Sequence, residues 1–278
     1  MKLPEITIAL LMAICIAAPA VFEAPSSDAA ASGMGDIPPA IGPGQSSLFG
    51  EPGMASGGGY RRSFNHSDFD LISGWFSWTD ESVGRIRLAV DAFPGGDYSS
   101  ETKIGLGYSR SVLDDIHTSL TLAAAGNIYS LSYGQSLSGQ DLGSASGLSL
   151  DLAAEATVYD RTSFRVLAEN LTATNLGAVS DVEIPRSVTA AIGYSPYTMT
   201  DMQFYIRRET GSDFTYGLGI SASPHEIIIF RLGAATNPDR VTGGLGLRYK
   251  FFVFDYALKS HPVLPLSHTI SLGIDLAR

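Results

Sequence analysis

One cysteine, Cys15, in 278 residues leaves no intrachain disulfide and no cysteine-ligated metal site. Lysine is scarce, and charged residues make up 17% of the chain, below the roughly 25% of soluble domains. Basic residues are also few for the chain's acidity: 28 Asp and Glu against 18 Lys and Arg give a net charge of −10. A binder of duplex nucleic acid needs a basic footprint to displace counterions, so that class is excluded. The histidines (His66, His117, His225, His261 and His268) show no zinc-ligand spacing. Long apolar runs are missing beyond residue 20, so no transmembrane helix is expected there.

What the chain does contain is glycine, 30 residues of it, and a slightly positive mean hydropathy. Its first apolar segment, Ile6 to Ala20 behind Lys2, has a basic start, an apolar centre and the small-x-small ending Ala18-Pro19-Ala20. Those are the three parts of a secretory signal, with cleavage expected after Ala20. Glu23 interrupts the segment before it reaches the length of an anchor. Residues 21–67 are rich in Gly, Pro, Ser and Ala, as in Asp36-Ile-Pro-Pro-Ala and Gly53-Met-Ala-Ser-Gly-Gly-Gly. Such composition buries too little apolar area to order itself. Two readings stay open for it: an export linker, or a plug folded into a barrel lumen.

From Asp68 the texture becomes period-two alternation, the mark of strands with two unlike faces. His268, Ile270, Leu272, Ile274 and Leu276 share one face; Thr269, Ser271, Gly273 and Asp275 share the other. Phe214 to Ser221 and Val241 to Tyr249 repeat the pattern, as do Leu148 to Glu155 and Arg85 to Asp91. The expected strands are 68–78, 84–93, 102–110, 116–125, 127–134, 146–159, 162–171, 186–195, 200–209, 213–222, 225–235, 240–249, 251–259 and 267–276, with no turn residue marking the break after Tyr249. About ten residues each suits a tilted strand crossing a bilayer. The second face carries Gly, Ser, Thr and Ala with sparse charges, where a soluble sandwich would carry many charged residues.

The expected fold is therefore all-β: a transmembrane antiparallel barrel of about fourteen strands over 68–278, in lipid of a bacterial outer membrane. Trp75, Trp78, Tyr108, Tyr159, Tyr194 and Tyr249 are candidates for its aromatic girdle. The long connections 135–145, 172–185 and 260–266 are assigned outside; Gly126, Asp160-Arg161 and Ser223-Pro224 are assigned as inner turns, with 94–101 an overlong one. Twelve charges fall on the face away from lipid: Arg85, Arg87, Asp91, Asp151, Glu155, Arg165, Glu169, Arg207, Arg231, Arg248, Asp255 and Asp275. They read either as cross-strand ion pairs filling a lumen or as a pore lining.

No catalytic centre, metal or cofactor is expected. Ser267 and His268 are adjacent on a strand and point to opposite faces, so they cannot act as nucleophile and base. Gly243-Gly-Leu-Gly246 lacks the lysine and following helix of a phosphate loop.

The run Phe254-Asp255-Tyr256-Ala257, then Ser260-His261-Pro262, then Leu266 to Gly273 with His268, resembles the end of PorV/PorQ-type proteins, which group with FadL-like outer-membrane barrels. Ala168-Glu-Asn-Leu171, Leu176-Gly177, Ile184-Pro185 and Ile192-Gly-Tyr194 resemble the middle of the same family. The resemblance implies fourteen strands with the N-terminal segment inside. It also implies either a type IX-like secretion accessory, engaging exported protein or secretion subunits, or a FadL-like channel for hydrophobic or small solutes. A barrel without transport is the third reading. Only Pro38-Pro39-Ala40 stands where the family has Asn-Pro-Ala, and the chain ends Leu276-Ala-Arg278 without a terminal aromatic.

Overall fold

The computed structural model describes residues 28–37, 52–96, 99–134, 143–176 and 183–276. The expected signal sequence, with Ala18 and Ala20, lies outside these residues. The strands are β1 (Gly53–Arg62), β2 (Asp70–Asp80), β3 (Gly84–Gly95), β4 (Ser99–Asp115), β5 (Thr118–Tyr133), β6 (Ser144–Val158) and β7 (Thr162–Glu169). They continue as β8 (Ser187–Tyr197), β9 (Thr200–Glu209), β10 (Thr215–His225), β11 (Ile228–Ala235), β12 (Arg240–Tyr249), β13 (Phe252–Lys259) and β14 (Ser267–Asp275). One short helix, α1 (Ala29–Gly33), precedes them.

Each strand pairs antiparallel with its sequence neighbour, and β1 closes the ring on β14 through pairs such as Gly57 with Gly273 and Tyr60 with Ile270. Closure leaves no strand edge to satisfy, which is what allows a sheet to sit in hydrocarbon. Stacked open sheets are thereby excluded.

Burial inverts the order of a soluble protein. On β14, Thr269 is 1% exposed while Leu272 is 63% exposed. Across the barrel the buried side chains include Ser77, Asn127, Thr189, Arg165 and Asp255, whereas Leu106, Leu148, Val188 and Phe230 face out. A polar interior with a greasy exterior is the arrangement lipid demands. Leu272→Arg is therefore expected to cost about 2–4 kcal/mol of barrel stability in vesicles; a urea titration that shows no loss would place this face away from acyl chains.

The structure corrects several sequence expectations. The barrel begins at Gly53, so β1 lies within the segment read as linker or plug. Residues 116–125 and 127–134 are one strand, β5, with Gly126 in its middle. Ser223-Pro224 belongs to β10, whose turn falls at 226–227, while 250–251 is a true turn with Lys250 at φ 53°. The missed strand and the split strand cancel in the count but reverse the direction expected of β2 to β4. The short connections 81–83, 116–117, 159–161, 198–199, 226–227 and 250–251 share one end of the barrel with both strand termini. Connections 63–69, 210–214, 236–239 and 260–266 share the other, as do the strand ends that lead into the β3–β4, β5–β6 and β7–β8 connections.

Trp75 is a further correction. It stands an odd number of residues from outward-facing Trp78 and points into the lumen. There its ring covers Gly57, its partner on β1, where a Cβ would lie 3.0 Å from the ring. Tyr108, Tyr194 and Tyr249 do face outward, and Tyr159 sits at a short turn.

Candidate functional site: the lumen

Residues 28–37 lie inside the barrel, against the wall formed by β10 to β14. Asp28 caps α1 by accepting from the Ala30 amide at 2.9 Å. A five-residue helix satisfies few of its own backbone groups, and the wall supplies the rest. The Ser271 hydroxyl accepts from the Ala29 amide (3.0 Å), and Thr242 Oγ1 accepts from the Gly35 amide (2.9 Å). Thr242 Oγ1 donates to the Gly33 carbonyl (3.0 Å), and the Tyr205 hydroxyl to that of Gly35 (2.9 Å).

The approach is close because both surfaces are stripped to glycine. A Cβ on Gly33 would meet the Gly244 Cα at 3.1 Å, and one on Gly219 or Gly233 would collide with the backbone at Met34 and Gly35. Gly35 itself has φ +83°, and a side chain there would press on the Leu218 and Ala234 carbonyls. Beyond it, Asp36 Oδ2 meets Arg240 Nε at 2.9 Å and Lys259 Nζ at 3.1 Å. Burial acts to raise the Asp36 carboxyl, but Lys259, Arg240 and Arg61 together hold it below its usual value. The latch is thus ionised throughout the neutral range.

The twelve charges singled out from the sequence all occupy the inward register. Glu155 and Arg165 pair at 2.7 Å across β6 and β7. Asp255 Oδ1 takes Arg231 at 2.7 Å and Arg248 at 3.0 Å. Gly246 makes this trio possible, since a Cβ there would stand 2.6 Å from the Asp255 oxygen. Arg207 lies 3.6 Å from Glu169, whose other contact is the Ser187 hydroxyl. Asp151 accepts from Asn127 Nδ2 (2.7 Å) and the Asn170 amide (2.8 Å). Arg85 donates to Thr79, and Asp275 is also partnered. Arg87 and Asp91 stand apart: the Arg87 nitrogens and one Asp91 oxygen are buried without a hydrogen bond among the described residues.

The positions that resemble PorV/PorQ-type proteins do not converge. Asp255 and Ala257 point inward, while Tyr256 and His268 face outward, joined hydroxyl to Nδ1 at 2.8 Å. His261 accepts from the Val263 and Leu264 amides in the loop beside Pro262 and packs edge-on against Phe64.

Sequence reading missed Arg61, Lys103, Arg240, Lys259, Tyr205 and Asp36. It also missed that the two described ends of the β7–β8 connection, 170–176 and 183–186, pack inward. Asn170, 1% exposed, donates to the Ile184 carbonyl, and Leu176 packs with Tyr129, Leu131 and Ile184. Gly147 leaves space for Thr174 and Leu176 against the wall. The lumen is therefore narrowed near its long-loop end by this connection on one side and residues 33–37 on the other.

Below the inner segment lies a cavity of about 740 Å³. Ala30, Ala31, Met34 and Ile37 form its apolar side; Glu155, Arg165, Arg231 and Asp255 are among its polar walls. It extends to the short-turn end, where Asp160, Arg161, Thr198 and Met199 line it.

A closed strand ring, an apolar outer belt and a charge-paired lumen define a transmembrane barrel of the outer-membrane type. No protein-family model matches the chain, and no curated protein does. Among solved structures, the CymD monoaromatic hydrocarbon channel is similar with a TM-score of 0.70 at 14% identity, over 92% of this chain and 99% of its own. The toluene transporter TbuX of Ralstonia pickettii is similar at 0.66 and 14% identity, over 92% and 100%. The outer membrane protein Omp33 of Acinetobacter baumannii is similar at 0.53 and 11% identity, over 81% and 99%. At such identities the likeness is one of fold. It shows the fold of an outer-membrane barrel and does not single out the PorV/PorQ type.

Proposed function

We propose that this protein is a FadL-like outer-membrane channel for small hydrophobic or amphipathic solutes, held closed by its own residues 28–37. The observation that carries the reading is the glycine-lined seat. Five inward glycines on β10 to β12, Gly217, Gly219, Gly233, Gly244 and Gly246, give up side-chain packing, and three of them, Gly219, Gly233 and Gly244, do so where the inner segment docks. A lumen with no passage to regulate would be filled by side chains from the wall itself. The names of CymD and TbuX, a hydrocarbon channel and a toluene transporter, support the same class. By the loop-length rule, the long-loop end faces outside and the cavity communicates with the periplasm.

The secretion-accessory reading has less behind it. Its motifs fall on the outer face, in a loop and in an ion trio rather than on one surface. Asn170, Leu176 and Ile184, which belong to the family-resembling stretch, are buried rather than displayed to a partner. Deleting residues 28–37 is expected to leave a folded barrel and to raise its conductance in planar bilayers well above that of the intact protein. A folded deletion variant with unchanged conductance would reject the closed-channel reading.

A further inference from the structure

We infer that Asp201, toward the short-turn end of the cavity, receives the ammonium group of a small amine whose apolar body rests on Met34 and Ile37. The inference rests on the channel reading and gives its solute a charge. Asp201 projects inward from β9, is half-buried and lines the cavity. Its carboxylate oxygens accept from neutral groups: Oδ1 from the Ser195 hydroxyl at 3.1 Å, Oδ2 from Gln203 Nε2 at 2.8 Å. Among the described residues no cation stands within ion-pair distance of either oxygen. Two other acids of the same cavity are neutralised in place, Glu155 by Arg165 at 2.7 Å and Asp255 by Arg231 and Arg248.

The neighbours of Asp201 set the shape of the ligand. A carboxylate offers about four lone-pair positions, so Ser195 and Gln203 hold the group in place and leave acceptor capacity for a guest. Gln203 stands beside Gly219 in the β9–β10 register, and Gly219 is where the inner segment docks. A Cβ there would lie 2.7 Å from the Met34 Cβ and 2.8 Å from Ile37 Cδ1. Acid and apolar platform are thus one two-residue repeat apart along the strands, roughly 7 Å. Ser221 of β10 pairs with Asp201 on its other flank, so hydroxyls rather than cations surround the carboxylate. In the register the next cation is Arg161, whose carbonyl accepts from the Ser195 amide at 2.8 Å, and Asp160 beside it offsets its charge. Five carboxylates and four guanidiniums line the cavity, a surplus of one negative charge. An ammonium group meets Asp201 through charge-assisted hydrogen bonds, stronger than those of a hydroxyl. A neutral hydrocarbon gains the apolar platform alone.

Benzylammonium carries both features, and two simpler probes carry one each. Calorimetric titration of the folded protein in nonionic detergent at neutral pH should show saturable binding of benzylammonium. Benzyl alcohol, with the ring and no charge, and methylammonium, with the charge and no ring, should each bind about tenfold or more weakly. Asp201→Asn keeps an acceptor for Ser195 and removes the charge. It should bring benzylammonium down to the level of benzyl alcohol and leave benzyl alcohol unchanged. No saturable binding of benzylammonium, equal affinity for the alcohol, or an Asp201→Asn protein that still prefers the amine would each overturn the assignment. Methylammonium bound as tightly as benzylammonium would overturn it too, since the apolar platform would then contribute nothing. Because binding is read without flux, a protein that binds benzylammonium yet conducts nothing after deletion of residues 28–37 would fail the channel reading alone.

Discussion

Gly233→Val is expected to unseat the inner segment while leaving the barrel intact. Valine suits a strand, so the cost falls on the docked chain rather than on β11. A Cβ at this position collides with the Gly35 amide and the Met34 carbonyl carbon, backbone atoms with no rotamer to move away. Overpacking of this kind costs about 1–3 kcal/mol. Each 1.4 kcal/mol shifts the balance between seated and unseated forms about tenfold. Solute flux through reconstituted protein should rise accordingly, toward the level of the 28–37 deletion. Gly126→Val is the control, because a Cβ there meets nothing within 4 Å and faces out of the barrel. Flux that responds equally to both substitutions, or to neither, would mean that the glycine seat does not close the lumen.

The second large effect is on stability. Asp255 neutralises Arg231 and Arg248 through one carboxylate oxygen, with its own side chain 5% exposed. Asp255→Ala would strand two guanidinium groups in the space left open by Gly246, and breaking a buried pair this way costs about 3–5 kcal/mol. The unfolding midpoint in denaturant should fall by the corresponding amount. Replacing the whole trio, Arg231→Met with Arg248→Met and Asp255→Leu, should recover most of it, since no charge is then left alone. An Asp255→Ala barrel as stable as the original would show that water, not the carboxylate, satisfies the arginines.

Much of this architecture was legible because period two is strict. A strand that alternates cannot turn one charge inward and the next same-parity charge outward, so Arg85 to Asp91 and Arg231 to Asp255 could be placed from their neighbours. The same rule could have placed Trp75: three residues from Trp78, the two cannot share a face. The rule fails where side chains are absent. Gly57-Gly58-Gly59 shows no alternation, so β1 was hidden in what looked like a linker. Gly126, a turn residue by composition, is an outward position on an unbroken strand. Those two readings offset each other numerically, and only the pairing of β1 with β14 exposes both.

The lumen was harder to read than the wall. Asp36 sits in a segment without periodicity, and nothing local connects it to Arg240 or Lys259, more than 200 positions away. The glycines that receive Gly33 and Gly35 look, in sequence, like any small residues on a curved strand.

By itself, then, the sequence determined which side of each strand meets lipid, because a two-residue repeat of apolar and polar groups has one solution in a bilayer. Only the tertiary structure decided what fills the interior: which cations share a carboxylate, and where residues 28–37 dock. Those outcomes depend on register around a closed ring, and register is set by all fourteen strands at once.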